Sequence, residues 1–238
     1  MRLPALLAAV LVGLPAAAQD FTAEEIKQLA LQAILENPEI VMEAVSVLQA
    51  REEAAAEAAA RETLSANRDT LEQDPNAPVF GNPDGDVTVV EFFDYNCPYC
   101  RRAGPEVDAL LAADPDVRVV YREFPILGEG SVFAARAALA AREQDLYAEM
   151  HEALMAARGR VDERAVMQVA AEVGLDVDRL RADMEAPEVQ AHIETTLQLA
   201  ADLGFNGTPA FVVGDKMAPG LLDAAQLQQL VDEVREGG

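Results

Sequence analysis

Cysteine and histidine are scarce in this sequence, which has two of each among its 238 residues. Both cysteines lie in one motif, Cys97-Pro98-Tyr99-Cys100, and the histidines, His151 and His192, are far apart in predicted helices. We expect the histidines to be surface or packing residues rather than catalytic bases. A zinc site would need a second pair of ligands, and a disulfide that closes so short a loop stabilises a fold little. The scarcity therefore favours a redox-active cysteine pair over a metal site or a structural brace.

Basic residues are also few, because 18 lysines and arginines stand against 42 aspartates and glutamates, for a formal net charge of −24. This excess disfavours nucleic acid and anionic membrane surfaces as partners, since both are negatively charged themselves. Long hydrophobic runs are absent beyond the first residues, so no later segment is predicted to cross a bilayer. The hydrophobic fraction of 51% still allows one sizeable domain plus an appendage.

Residues 1–18 have the pattern of a secretory signal peptide. A basic residue, Arg2, precedes an apolar stretch from Ala5 to Leu14, and small residues follow up to Ala18. An uncleaved membrane anchor is the alternative, but the stretch is short and rich in alanine. We expect cleavage after Ala18 and export to a compartment where disulfides persist, so that a lone cysteine pair would act on other proteins.

Residues 19–74 are predicted to form a helical arm. Thr22-Ala-Glu-Glu25 has the spacing of a capping box, Asn37-Pro38 starts a second helix, and no helix breaker follows from Glu39 to Gln73. The apolar residues of the arm cluster in its first part and cannot be buried by the arm alone. We expect a homo-oligomer formed through residues 21–48, and the alternative is that these helices fold back on the catalytic domain.

The stretch from Val87 to Arg102 joins a predicted strand to the cysteine motif. The apolar, β-branched run Val87–Phe93 predicts a buried strand, and a helix is predicted to open at the motif, with Pro98 at an early helical position. Amide groups and the dipole at a helix N-terminus stabilise an anion, so Cys97 is the expected nucleophile with a lowered pKa. Cys100 is expected to be more buried and to resolve the mixed disulfide.

The order of predicted elements gives an α/β fold. Residues 87–124 form a predicted βαβ unit with parallel strands. Strand character returns at 209–213 and 216–218, and Val79 lies in a candidate fifth strand. Helical patterns at about 128–204 predict a helical insertion between the two halves of the sheet.

Three features together resemble the thioredoxin superfamily and, within it, the DsbA-like exported thiol-disulfide oxidoreductases. They are Glu-Phe-Phe-Asp-Tyr-Asn-Cys-Pro-Tyr-Cys at residues 91–100, the helical insertion, and Gly-Thr-Pro at residues 207–209. The resemblance covers roughly residues 75–236 and implies a DsbA-like thioredoxin domain at residues 75–238. The combination of an N-terminal arm with such a domain resembles the ScsC-like and Com1-like proteins.

The resemblance also implies roles for individual residues. Pro209 would be a cis proline beside Cys97, and Thr208 would present its backbone to a substrate strand. Pro98 and Tyr99 would line the same substrate groove. Glu91 would be a buried acid with a raised pKa that accepts the proton of Cys100. The alternatives are that Pro209 is an ordinary trans proline and that the Glu91 side chain faces solvent.

The function implied by the resemblance is that of a periplasmic protein disulfide oxidoreductase, acting as an oligomeric isomerase or reductase on exported proteins with cysteines. It would use no cofactor or metal and would depend on a membrane redox partner, a DsbD-like or ScsB-like reductant. One alternative is a monomeric DsbA-type dithiol oxidase served by a DsbB-like oxidant. Another is a non-catalytic periplasmic chaperone or scaffold.

Overall fold

The computed structural model describes residues 21–237, so the predicted signal peptide at residues 1–18 lies outside the described residues. The chain divides into two compact units, of which the first ends at Ala56 and the second begins at Glu57. Between residues 21 and 237, no helix is both long enough and apolar enough to span a membrane.

The first unit is built from helices. Helix α1 (Ala23–Glu36) is followed by helix α2 (Glu39–Gln73), which begins in this unit. The predicted capping box is confirmed, because the Glu25 amide donates to the Thr22 hydroxyl at 3.3 Å and the Thr22 amide donates to the Glu25 carboxylate at 2.8 Å. No residue from 21 to 56 is buried in the single chain. The exposed large apolar side chains of this unit are Phe21, Ile26, Leu29, Leu31, Ile34, Leu35, Ile40, Val41, Met42, Val45, Val47 and Leu48.

The second unit is built on a five-stranded sheet. Its strands are β1 (Val79–Gly81), β2 (Val87–Phe93), β3 (Val117–Glu123), β4 (Ala210–Val213) and β5 (Lys216–Pro219). They lie in the order β1-β3-β2-β4-β5, with β2 and β3 parallel and the other neighbours antiparallel. The predicted parallel βαβ unit and the candidate fifth strand are therefore confirmed.

Seven α-helices of the second unit follow the first two along the chain. They are α3 (Cys100–Ala113), α4 (Glu129–Ala141), α5 (Tyr147–Ala156), α6 (Glu163–Glu172), α7 (Val177–Asp183), α8 (Pro187–Asp202) and α9 (Ala224–Gly237). Helices α4 to α8 form the predicted insertion between β3 and β4. The predicted α/β class with a helical insertion is confirmed.

The sheet is covered on both faces, which explains why the central strand is apolar at all but two of its positions. Val89 and Phe93 of β2 belong to the core that contains α3 and the insertion, whereas Val90 and Phe92 belong to a second core on the other face. Leu64 and Leu71, each 2% exposed, pack in that second core. They are seven residues apart and thus share one side of a helix.

The last turns of α2 are consequently part of the sheet-containing unit, although the sequence predicted an arm that extends to residue 74. A buried ion pair strengthens this attachment: Arg122 of β3 donates to the Asp74 carboxylate at 2.6 Å and to the Leu71 carbonyl at 3.0 Å. The Arg122 side chain is fully buried. His192 of α8 lies beside this pair and is buried as well, in agreement with a packing role.

Candidate active site

The cysteine motif lies in the turn between β2 and α3. The Cys97 amide donates to the Asp94 carbonyl at 3.0 Å, which closes a turn, and the Arg101 amide donates to the Cys97 carbonyl at 3.2 Å. Helix α3 begins at Cys100, with Tyr99 as its N-cap residue. A helix does open within the motif, as predicted, but Pro98 lies before its first residue rather than at an early helical position, because the chain turns away from the strand over residues 94–97.

Cys97 is held in surroundings that favour its thiolate. The Cys97 thiol donates to the Thr208 carbonyl oxygen at 3.2 Å, a bond that does not itself stabilise the thiolate, and the Thr208–Pro209 peptide bond is cis. The hydrogen bond from the Cys100 thiol is the largest cause that lowers the pKa of Cys97, to about 5, and burial opposes it. The Thr208 side chain and the amides of Cys100 and Tyr99 lower the pKa of Cys97 further. The amides that start α3 thus act on Cys97 even though this residue precedes the helix.

The surroundings of Cys100, in contrast to those of Cys97, favour its neutral thiol. It is fully buried, with an exposure of 0% against 5% for Cys97, as predicted. Burial is the largest cause that raises the pKa of the Cys100 thiol, and the hydrogen bond to Cys97 and the charge of Glu91 add to it. Both cysteines are free thiols in this structure. The pair therefore combines an ionised sulfur with a neutral thiol that needs a base before it can attack.

Glu91 lies in the middle of β2, on the sheet face that α3 covers. It is 1% exposed and sits between Tyr121 of β3 and Phe211 of β4 in the strand register. Burial is the main reason that the pKa of Glu91 rises to about 8, and the negative charges of Asp108 and Cys97 contribute. At neutral pH this carboxyl group is mainly protonated, but a fraction can accept a proton.

An open groove runs past the cis peptide. It has a volume of about 490 Å³ and is lined by Thr208 and Pro209 together with apolar residues that include Phe205 and Met217. Pro98 lines a different cavity, and Tyr99 is 54% exposed beside the motif. The structure thus brings Cys97, Cys100, Glu91, Thr208 and Pro209 together, and it leaves Pro98 and Tyr99 on the outer rim.

Two polar residues that the sequence analysis overlooked hold the active-site turn. Asp94 is 1% exposed, and its carboxylate accepts hydrogen bonds from the Ser131 hydroxyl at 2.7 Å and the Leu127 amide at 2.9 Å. Asn96 donates to the Val161 carbonyl at 2.9 Å and accepts from the Val161 amide at 2.8 Å. These bonds fix the turn to the helical insertion. The sequence signal was present, since Asp and Asn directly after a strand commonly cap turns.

A buried polar cluster supports the turn from below. The Glu123 carboxyl group accepts hydrogen bonds from the Tyr95 hydroxyl at 2.9 Å and from the Tyr147 hydroxyl at 3.0 Å. Burial raises the pKa of Glu123 above its ordinary value. His151 lies 3.1 Å from the Tyr95 hydroxyl and is buried among aromatic rings, which agrees with the predicted packing role. Across residues 21–237, no group of three or more His, Cys, Asp or Glu side chains is arranged to hold a metal ion.

The chain is similar in sequence and fold to known proteins. The family model described as DSBA-like thioredoxin domain matches residues 88–232. A thioredoxin-like oxidoreductase from Silicibacter pomeroyi DSS-3 has a similar structure, with a TM-score of 0.72, 63% sequence identity, and coverage of 72% of this chain and 99% of that chain. A linker-deletion mutant of Proteus mirabilis ScsC has a TM-score of 0.71 and 28% identity, over 94% of this chain and 100% of that chain.

Curated relatives are of two kinds. The thiol:disulfide interchange protein DsbA of Bordetella parapertussis is 30% identical over 146 residues, which cover 59% of this chain and 69% of that protein. The Na(+)/H(+) antiporter NhaA of Herminiimonas arsenicoxydans is 32% identical over 158 residues, which cover 66% of this chain. The match spans only 25% of that antiporter's length.

Proposed function

The chain belongs to the DSBA-like thioredoxin domain family, and from this membership and the geometry of the site we propose that it is a periplasmic thiol-disulfide oxidoreductase. The membership confirms the predicted thioredoxin fold and the DsbA-like resemblance. The observation that carries the proposal is the contrast between two neighbouring thiols: the pKa of Cys97 falls to about 5 while the pKa of Cys100 is raised. Such a contrast divides the work of attack and resolution between the two sulfurs.

In the proposed reaction the Cys97 thiolate attacks one sulfur of a substrate disulfide. The new bond joins Cys97 to the substrate, and the other substrate sulfur leaves as a thiolate. Cys100 then loses its proton to the Glu91 carboxylate and attacks the Cys97 sulfur, which releases the second substrate thiol. The substrate gains two electrons, and the protein is left with a disulfide between Cys97 and Cys100.

The groove along Thr208 and Pro209 is the proposed binding site for an extended substrate segment, and Pro98 and Tyr99 are proposed to contact the same substrate from outside this groove. A cis peptide next to the nucleophile leaves the backbone of Thr208 in contact with the Cys97 sulfur. Backbone groups of this kind can pair with a strand of any sequence. This arrangement suits an enzyme with many exported protein substrates.

Within this class, isomerase or reductase activity fits better than primary oxidase activity. Exposed apolar side chains along residues 21–48 favour a homo-oligomer, which would present several reduced sites to one client. In isomerisation a substrate thiolate attacks the mixed disulfide and releases Cys97 in its reduced form, without net electron transfer. A DsbD-like or ScsB-like membrane reductant would restore the dithiol whenever Cys100 has completed the reaction.

The test compares recovery of scrambled ribonuclease with recovery of reduced ribonuclease, together with the redox state of the cysteine pair in cells. The proposal predicts rescue of scrambled ribonuclease by the full-length protein, loss of this rescue in Cys97→Ser, and a reduced pair at rest. Oxidation of reduced ribonuclease without rescue of the scrambled form would support the DsbA-type oxidase instead. Sedimentation of the mature protein and of a form that begins at Glu57 tests the oligomer, since each particle mass divided by the chain mass gives the number of chains. The same number of chains in both forms would exclude an oligomer formed through residues 21–48.

A further inference from the structure

Four arginines gather around the active-site turn of this strongly acidic protein. Arg101 and Arg102 follow the cysteine motif, and Arg158 and Arg160 lie in the loop between α5 and α6. Within residues 21–237 none of them forms an ion pair with a carboxylate, whereas Arg122, for example, pairs with a carboxylate at 2.6 Å. Within the same residues Arg118 and Arg142 also form no ion pair and donate to backbone carbonyls, so what distinguishes the four arginines is their position close to the cysteine motif in the fold or in the sequence.

The Arg101 guanidinium makes two of its hydrogen bonds within the protein and leaves one nitrogen free. Its Nε donates to the Tyr95 carbonyl at 3.0 Å, and its Nη1 donates to the Ala157 carbonyl at 2.7 Å. Its Nη2 is buried and has no hydrogen-bond partner in the described part of the chain. Because Nη2 is closed off from solvent, a ligand in the adjoining space would interact with the charge of Arg101 rather than accept a hydrogen bond from this nitrogen.

Arg101 lines a cavity of about 400 Å³ directly beside the nucleophile. The other residues that line it are Asn96, Pro98, Leu127, Gly159 and Arg160. The lining contains two arginines and no carboxylate. It also includes Asn96 and Pro98, the two neighbours of Cys97 in the sequence. We call this space the arginine cavity.

The surroundings of the arginine cavity extend its positive charge. The end of the Arg160 side chain lies against Gly128, where an added Cβ would be 3.4 Å from Nη2. The Arg102 guanidinium lies 5.7 Å from the centre of the Tyr99 ring. Leu127, which is 44% exposed, adds an apolar wall. A ligand with a carboxylate on a short aliphatic stem, such as a glutamate or aspartate side chain, fits this combination.

We propose that the arginine cavity binds an acidic side chain of the client polypeptide close to the reacting cysteine, so that disulfides flanked by aspartate or glutamate are preferred substrates. This inference rests on the proposed function and adds a specificity to it. The remainder of the protein repels acidic clients through its net charge, and a local positive site would restore binding in one orientation only.

The test measures how fast the full-length reduced protein reduces synthetic disulfide peptides that differ only in the residues flanking the cysteine. Glutamate, glutamine and lysine versions are compared in stopped-flow experiments at low and high salt. We expect the glutamate peptide to react about threefold to tenfold faster than the glutamine peptide at low salt. The advantage should vanish near 1 M salt, where the Debye length, beyond which charges are screened from one another, is only about 3 Å.

Variants of Arg160 connect this preference to the arginine cavity. Arg160→Gln should bring the ratio of the glutamate rate to the glutamine rate to within about twofold, and Arg160→Glu should invert it. Arg181→Gln is the matched control, because Arg181 is an exposed arginine on α7 that pairs with Glu163, and it should keep the wild-type ratio. Circular dichroism verifies that each variant is folded.

Two results would overturn the inference while the proposed function stands. They are equal reduction of glutamate and glutamine peptides by the wild type, and an unchanged ratio in both Arg160 variants. If none of the peptides is reduced, the proposed function fails and the inference fails with it.

Discussion

Replacing Glu91 by glutamine should make the protein more stable and its resolving step slower. Burial raises the pKa of Glu91 to about 8, whereas in an unfolded chain the pKa of a glutamate is about 4.3. Between these values the folded state binds more protons than the unfolded state, so the free energy of unfolding falls as the pH rises. At pH 7 the loss is about 3 to 4 kcal/mol, at 1.36 kcal/mol for each of the roughly 2.7 pH units above the unfolded pKa. Glu91→Gln has no carboxyl group to ionise and should recover about 3 to 4 kcal/mol at pH 7 and little near pH 4.

The same substitution removes the proposed proton acceptor of Cys100. General base catalysis contributes about 10²-fold to 10⁴-fold, and a group with a pKa of about 8 is ionised in roughly one molecule in ten at pH 7. We therefore expect the resolving step of Glu91→Gln to be about 10-fold to 10³-fold slower at pH 7. In the wild type the rate should rise with pH and level off near pH 8, and in the variant this plateau should be absent.

The assay starts from protein in which Cys97 carries glutathione as a mixed disulfide and follows glutathione release in a single turnover between pH 6 and pH 9. Urea unfolding of the reduced protein at pH 4 and pH 7 gives the stability. Glu62→Gln is the matched control, since Glu62 is exposed on α2, and it should change neither quantity. Equal resolving rates and pH profiles in wild type and Glu91→Gln would refute the role as proton acceptor, and equal stabilities at pH 7 would refute the raised pKa.

Two further predictions concern the attachment of α2 to the sheet. Asp74→Asn leaves the fully buried Arg122 without its carboxylate and should cost about 3–5 kcal/mol in urea unfolding, whereas the exposed Asp84→Asn should cost little. Because its partners hold the pKa of Asp74 below its ordinary value, this stabilisation is present at neutral pH and is lost in acid, as the pH falls through the pKa of the folded state. Leu71→Ala should cost about 2–5 kcal/mol, and a truncated protein that begins at Asp74 should unfold at lower urea than one that begins at Glu57. Equal urea midpoints for these two truncated forms would show that the end of α2 does not support the sheet.

Local patterns were sufficient to predict the strands and the cysteine site. The run Val87–Phe93 is apolar at every position but two, and such a run is buried on both faces wherever a sheet is covered on both sides. The capping box at Thr22 and Glu25 and the spacing of Cys97 and Cys100 are equally local, so their consequences could be derived without tertiary information.

Contacts between distant residues could not be predicted in this way. Asn96 binds Val161, which is 65 positions away, and its amide also reaches Ser131, which is 35 positions away. Nothing near Asn96 in the sequence identifies these partners. The free nitrogen of Arg101 is a property of the folded loop, and it too has no local sequence signal.

The packing of the end of the arm could not be predicted for a related reason. Leu64 and Leu71 are isolated among alanine and polar residues, so their periodicity is weak in the sequence. Their role is defined only by the folded structure, in which they pack in the same core as Val90 and Phe92 on the second face of the sheet. Helix α3 likewise leaves Pro98 outside it and begins at Cys100, because the Cys97 amide donates to the Asp94 carbonyl in a turn.

The central claim is that Cys97 is an ionised nucleophile at neutral pH, and its titration in the reduced protein tests this most directly. Ultraviolet thiolate absorbance and the rate of alkylation should both follow a single ionisation with a pKa of about 5. At pH 5.5 alkylation should be about 20-fold faster than that of free cysteine, after allowance for the lower nucleophilicity of a less basic thiolate. A midpoint near the value of about 8.5 found for free cysteine would contradict the account.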